Sequence, residues 1–168
     1  MIEDVIHNIN LFVDGRRLAG RIAEITLPKL APVLQEYKAG GLSAAVDMPM
    51  LAHEKLEAEM TLNAFDPDIL KLFGVVPGKQ VAFTARGAAL DDDGTLHAVI
   101  VQMHGLIKEF DMGTWKPGEE ATLKLSLSLR YYKLERDGAA IVEADPINMV
   151  CVVDGVDQLS DTRAALGL

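Results

Sequence analysis

A stretch of strict two-residue alternation constrains this chain more than any other feature. Ala121, Leu123, Leu125, Leu127, Leu129 and Tyr131 are interleaved with Thr122, Lys124, Ser126, Ser128 and Arg130. Successive side chains of a strand point to opposite faces, so this spacing makes a strand with one apolar and one polar face. Taken from residue 119 to 134, the run would span roughly 50 Å at ~3.3 Å per residue. An ordinary strand covers ~17–20 Å. A strand this long overshoots one small core, so it implies extensions past the core or a sheet continued into neighbouring subunits.

Three further runs share the period. Leu56, Ala58, Met60, Leu62 and Ala64 alternate with Glu57, Glu59, Thr61 and Asn63, and Val81, Phe83 and Ala85 begin another. Val99, Val101, Met103 and Ile107 form the next, where Ile100 and Leu106 predict partial burial of the second face. Asp14-Gly15 turns a strand over residues 9–13 back towards residues 18–27. Asp91-Asp92-Asp93-Gly94 reads as a hairpin connection, and Pro117-Gly118 and Asp137-Gly138 bracket the Leu-rich strand. One helix is signalled by Asp66 as N-cap, Pro67 in the first turn, then Ile69, Leu70, Leu72 and Phe73, with Gly74 as the stop. Residues 156–166 suggest a second short helix capped by Asp157. The pattern is mainly β (α+β), with antiparallel hairpins and a flanking short helix.

A length of 168 residues suits a single domain, 1–168. Apolar residues make up 49% but aromatic residues only 5%, which favours an aliphatic core over an aromatic-lined pocket. A net charge of −9 disfavours nucleic-acid binding by phosphate neutralisation. That acidity serves solubility, or a surface that must not hold a passing polyanion. A single cysteine, Cys151, excludes an intrachain disulfide, and its apolar neighbours predict a buried, inert thiol. No signal peptide and no membrane-spanning run is read, so folding in a reducing cytoplasm is expected.

The chain offers no motif for catalysis or for a cofactor. His97 and His104 fall on opposite faces of one strand and cannot share a metal ion. The triple Asp lacks the ligand spacing of a calcium loop. Glu57 and Glu59 share a face that reads as solvated, and no sharp turn presents Ser126 or Ser128 as a nucleophile. Residues 39–51 stand apart. Gly40-Gly41 breaks regular structure, and Leu42, Val46, Met48, Met50 and Leu51 follow with little charge. The pattern fits a strand packed within its own domain, or an exposed apolar loop that marks an interface.

Ordered segments then carry a resemblance along nearly the whole chain. They include Asn10-Leu11-Phe12-Val13-Asp14-Gly15, Leu27-Pro28-Lys29-Leu30, Tyr37-Lys38-Ala39-Gly40-Gly41 and Trp115-Lys116-Pro117-Gly118-Glu119. Towards the C-terminus come Tyr131-Tyr132-Lys133-Leu134-Glu135, Glu143-Ala144-Asp145-Pro146-Ile147-Asn148 and Leu166-Gly167-Leu168. The set resembles the major tail tube proteins of P2-like contractile phages and R-type bacteriocins. That resemblance implies an antiparallel β-sandwich or barrel-like core with a flanking helix, shared with type VI secretion tubes. It implies hexameric rings stacked into a hollow tube inside a contractile sheath, with baseplate and terminator proteins as further partners. The tube would conduct DNA without binding it specifically, or puncture an envelope. It implies a virion tail or bacteriocin particle, built from protein made in the bacterial host cytoplasm. By analogy, Gly40, Gly41, Leu42, Val46, Met48, Met50 and Leu51 are placed at the ring-to-ring contact, with the terminal segments as second candidates. The competing class is a soluble β-barrel that binds a ligand or catalyses a reaction.

Overall fold

Residues 1–18 and 20–168 are described by a computed structural model. The strands in chain order are β1 (Val5–Val13), β2 (Arg16–Arg17), β3 (Ile22–Thr26), β4 (Pro32–Tyr37), β5 (Val46–His53), β6 (Glu57–Leu62), β7 (Val81–Leu90), β8 (Leu96–Asp111), β9 (Leu123–Arg136), β10 (Ala139–Asp145), β11 (Val150–Val153) and β12 (Val156–Asp157). Helix α1 (Pro67–Leu70) precedes β7, and α2 (Ser160–Leu166) closes the chain.

The Leu-rich alternation becomes β9, and β8 and β9 form the spine of an antiparallel sheet. One edge of β9 is paired with β8 along its length. Its other edge is divided: β6 pairs with Leu123–Ser128 by number, and β10 with the segment from Tyr132 to Arg136. The length of β9 therefore lets one strand join two arms of sheet. From the spine one arm runs through β7 and β1 to β2, and the other through β10 and β11 to β12. β3 extends β6 and curls back against β1. Among the described residues no ladder joins β3 to β1. An apolar cleft remains there, lined by Ile6, Ile9, Ile25, Leu27, Val99 and Val101. The result is a barrel-like, incompletely closed sheet.

The inward face carries the core. Leu11 and Val13 meet Met60 and Leu62, Val81 and Phe83, Val101 and Met103, and Leu123, Leu125 and Leu127. Each large apolar side chain buried there contributes about 1.5–3 kcal/mol. Asp66 is the one buried charge among the described residues, and it is satisfied three ways. Its carboxylate accepts the Asp68 N–H at 3.0 Å and pairs with Arg21 at 2.8 Å and Arg16 at 3.6 Å.

Several boundaries differ from the sequence expectation. β9 starts at Leu123 because the Pro117-Gly118 turn holds the residues before it out of the ladder. Arg130 is an unpaired bulge residue, since His104 pairs with Tyr131 but Gly105 pairs with Leu129. The extra residue inverts the faces beyond it. Tyr131 consequently leaves the core face, and Tyr132 takes its place at 6% exposure. α1 ends with Lys71 as its C-cap, a turn before Gly74. Residues 156 and 157 form β12 rather than helix, so Asp157 is not the N-cap of α2. Its carboxylate instead accepts the Leu159 N–H at 3.1 Å and pairs with Arg163. Among the described residues of 18–27, strand is found at β3.

Asp14-Gly15, Asp137-Gly138 and Asp154-Gly155 each place both residues at positive φ, between 48° and 81°. That is the geometry of the two-residue turn whose twist matches a hairpin. The third of these has the same sequence signal as the others.

Candidate functional site

Residues 40–45 form an exposed loop, and residues 46–51 a strand that does not pack into the core. β4 and β5 make a separate two-stranded antiparallel hairpin, with Gly40 and Gly41 in its connection. Gly41 lies at φ +89°, which the turn needs and an L side chain resists. The hairpin base is closed by the Glu54 N–H donating to Ala31 O at 2.8 Å. Beyond that base almost every residue is exposed. Val46, Met48 and Leu51 are 51%, 58% and 60% exposed, and Leu42 and Met50 are each 44% exposed. The structure thus brings the seven candidate residues into one projection, apart from the core.

The register sorts the two faces. Tyr37 lies opposite Val46, and Gln35 opposite Met48, so these four share one face. Leu34 with Pro49 and Glu36 with Asp47 occupy the other. The sequence reading missed Leu34 and Tyr37 as members of this projection. Their signal was the Val33-Leu34-Gln35-Glu36-Tyr37 run before the two glycines. Leu51 adopts φ 55° where the register slips between Pro32 and Leu34. An isolated two-stranded hairpin is marginal in water at best. One with an exposed apolar face is suited to being covered.

Under the hairpin base lies an apolar hollow of about 300 Å³, lined by Leu30, Pro32, Leu51, Cys151, Val153 and Leu159. Burial, with Asp157 adding to it, pushes the Cys151 thiol up. It is half-buried, and the shift runs against nucleophilic use.

The groups weighed for chemistry are tied into the sheet. Lys108 at 2.7 Å and Lys55 at 3.1 Å hold the Glu57 carboxyl below its usual range. Glu59 faces Lys124 at 3.8 Å. Tyr131 stacks on His104 with centroids 4.9 Å apart and donates to Glu143 at 3.0 Å. Burial first, then that acceptor, pushes its hydroxyl up to about 12. The three aspartates of the β7–β8 turn diverge. Asp91 accepts the Asp4 N–H at 2.9 Å, Asp92 the Ile2 N–H at 3.1 Å, and Asp93 the Thr95 N–H at 2.8 Å.

These turns form a clamp on the N-terminal segment. His97 lies between Asp137 at 2.6 Å and Asp91 at 3.1 Å, and Arg136 pairs with Asp4 at 2.8 Å. The hydrogen bond to Asp137, then that to Asp91, raises His97 above its ordinary 6.5. His97 in turn, with the Ala98 N–H, lowers Asp137 below its ordinary 3.8. The His97 contribution is complete below 6.5 and is lost as pH climbs through the raised value. The Asp137 contribution is present above 3.8 and is lost as pH falls through the lowered value. The clamp is therefore fullest between those two ordinary values. Hydrogen exchange of the Ile2 and Asp4 amides should accelerate severalfold beyond the intrinsic pH effect between pH 6 and 9. His97→Gln should remove that excess, and an unchanged excess would contradict the clamp.

Comparison with known proteins places this architecture. A sequence model of the family described as phage tail tube protein FII matches residues 3–167. The tail tube protein of Escherichia phage P2 is 37% identical over 164 residues, covering 95% of each chain. The major tail tube protein of Serratia phage KSP20 is 32% identical over 160 residues, covering 94% of this chain and 92% of that one. Among solved structures, a chain of the PVC extracellular contractile injection system, from its sheath–tube complex in the extended state, has the same fold. Its TM-score is 0.59 at 11% identity, over 79% of this chain and 90% of that one. A chain from the sheath/tube terminator of that system gives 0.55 at 12% identity, over 78% and 95%.

Proposed function

Because the chain belongs to the phage tail tube protein FII family, we propose that it is a structural subunit of the inner tube of a contractile tail or tail-like particle, and not an enzyme. The subunits form hexameric rings that stack into a hollow conduit. Stacking is a heterologous contact in which one patch meets a different patch on the next copy. The single observation that carries this reading is the β4–β5 hairpin. Its exposed apolar face, with Tyr37, Val46 and Met48, supplies a surface that only a neighbour would cover.

The seven residues Gly40, Gly41, Leu42, Val46, Met48, Met50 and Leu51 lie at the ring-to-ring contact. One domain, 1–168, contains both the barrel-like core and this projection. The contractile sheath surrounds the tube, and baseplate and terminator proteins cap its ends. The lumen is lined by polar strand faces, and a net charge of −9 keeps a passing DNA from adhering. The assembled protein resides in the virion tail, or in a bacteriocin particle, after synthesis in the host cytoplasm.

Sedimentation of the purified chain tests the reading. The expected result is a boundary much faster than an 18.2 kDa monomer, growing with concentration. A single slow boundary at every concentration would count against a tube subunit.

A further inference from the structure

The hairpin's second face has its own chemistry. Glu36 and Asp47 are directly opposite in the β4–β5 ladder, so their carboxylates share one face. Like charges in that position destabilise a hairpin. Both residues are exposed, and among the described residues neither has an ion-pair partner. Lys38, a neighbour in sequence, pairs with neither. A doubled negative charge at a projecting tip suits a doubled positive charge elsewhere.

The same chain carries one on the sheet. Arg17 is directly opposite Phe12 in the β1–β2 pair, so both side chains share a face. Arg86 places its guanidinium 5.8 Å from the centroid of the same Phe12 ring, on an attractive face for a cation. Neither arginine is paired with a carboxylate among the described residues. Both line one concavity of about 440 Å³, beside Asn8 and Asn10. Asp137, at its margin, is already engaged by His97 and by the Ala98 N–H. A guanidinium presents a planar fork that grips a carboxylate through two hydrogen bonds. Two such forks, steadied by an aromatic ring between them, match two carboxylates on a strand pair.

We infer that the Glu36–Asp47 face of one copy's hairpin docks on the concavity lined by Arg17 and Arg86 of a neighbouring copy. The occupant is a second copy of this chain, selected by charge complementarity. The inference rests on the tube-subunit reading and adds to it the acceptor of the hairpin. Donor and acceptor are different patches, so the contact runs head to tail and repeats. It also divides the labour within the hairpin: the Tyr37–Met48 face supplies apolar area, and the opposite face sets register. Interfacial charges of this kind contribute to specificity and register more than to raw affinity.

Charge reversal with rescue tests the contact. Glu36→Lys with Asp47→Lys forms one variant, and Arg17→Glu with Arg86→Glu forms the second. The third combines all four substitutions. All four side chains are exposed, so thermal melting should confirm that each variant folds. The charge-neutral pairs Glu36→Gln with Asp47→Asn, and Arg17→Gln with Arg86→Gln, stand in for any reversal that does not fold. The sedimentable assembled fraction should fall about tenfold or more in each two-residue variant, the scale of a lost interfacial charge pair. The combined variant should recover most of it. If the two-residue variants assemble like the wild type, the contact is overturned. Folded variants that fail alone and also fail in combination overturn it too. If the arginine variant assembles normally but loses binding of a short DNA duplex, the concavity serves phosphate and the contact is again overturned. A wild-type chain that never assembles sinks the tube-subunit reading, and this contact with it.

Discussion

Gly105→Ala should destabilise the fold by about 3 kcal/mol, the upper end of the usual cost of overpacking. A Cβ at Gly105 would lie 2.1 Å from the Ser128 carbonyl oxygen and 2.8 Å from the Leu129 Cα. Both obstacles are backbone, so no rotamer change relieves them. They belong to β9 beside the Arg130 bulge, where the spine of the sheet changes register. Relief would require β8 and β9 to separate where Met103, Ile107 and Leu127 are buried. For a chain of this size, each kcal/mol shifts the melting temperature by roughly 2–4 °C, so a fall near 10 °C is expected. Gly40→Ala is the matched control, since a Cβ there meets nothing within 4 Å. Its change should remain within about 0.5 kcal/mol. Urea unfolding of the two variants checks the difference, and equal midpoints would contradict the account.

Met48→Asp with Met50→Asp should have the opposite signature: stability preserved and assembly lost. The side chains are 58% and 44% exposed in the single chain, so the folded subunit has little stake in them. On the proposed ring-to-ring contact, their value lies in burial against a neighbour, about 2 kcal/mol for a methionine. An aspartate there would also bring an unpaired charge into the contact. Each ring-to-ring contact repeats the loss for every subunit. Tubes should therefore disappear from electron micrographs, while the urea midpoint stays within the error of the wild type. Tubes of unchanged length would remove these residues from the ring-to-ring contact.

The alternation of β6, β7, β8 and β9 was legible because one face is buried and the side-chain period is two. The faces of Tyr131 and Tyr132 were not, because an unpaired Arg130 inverts them and no local signal announces a bulge. The hairpin was half legible. Its glycines and its apolar content stood out, but whether Met48 faces a core or solvent depends on where the rest of the chain lies. The clamp around His97 was invisible for a related reason. Its partners are 40 residues away at Asp137 and 6 away at Asp91, and Asp91 holds an amide 87 residues from it. Charge pairs assembled by topology carry no spacing rule. The Asp-Gly turns succeeded because their requirement is local: two residues that tolerate positive φ.

The tube-subunit reading gives two of the fold's oddities a shared cause. A long β9 joins two arms of sheet, a hairpin exposes apolar area, and the barrel-like sheet stops short of closing. The last two suit a subunit completed by its neighbours, whereas both edges of β9 are already paired within the chain. Electron microscopy of the purified, concentrated protein tests that claim most directly. The account predicts hollow rings with sixfold symmetry that stack into tubes, with the β4–β5 hairpin lying between successive rings. Featureless particles of monomer size at every concentration, with the hairpin open to solvent, would contradict it.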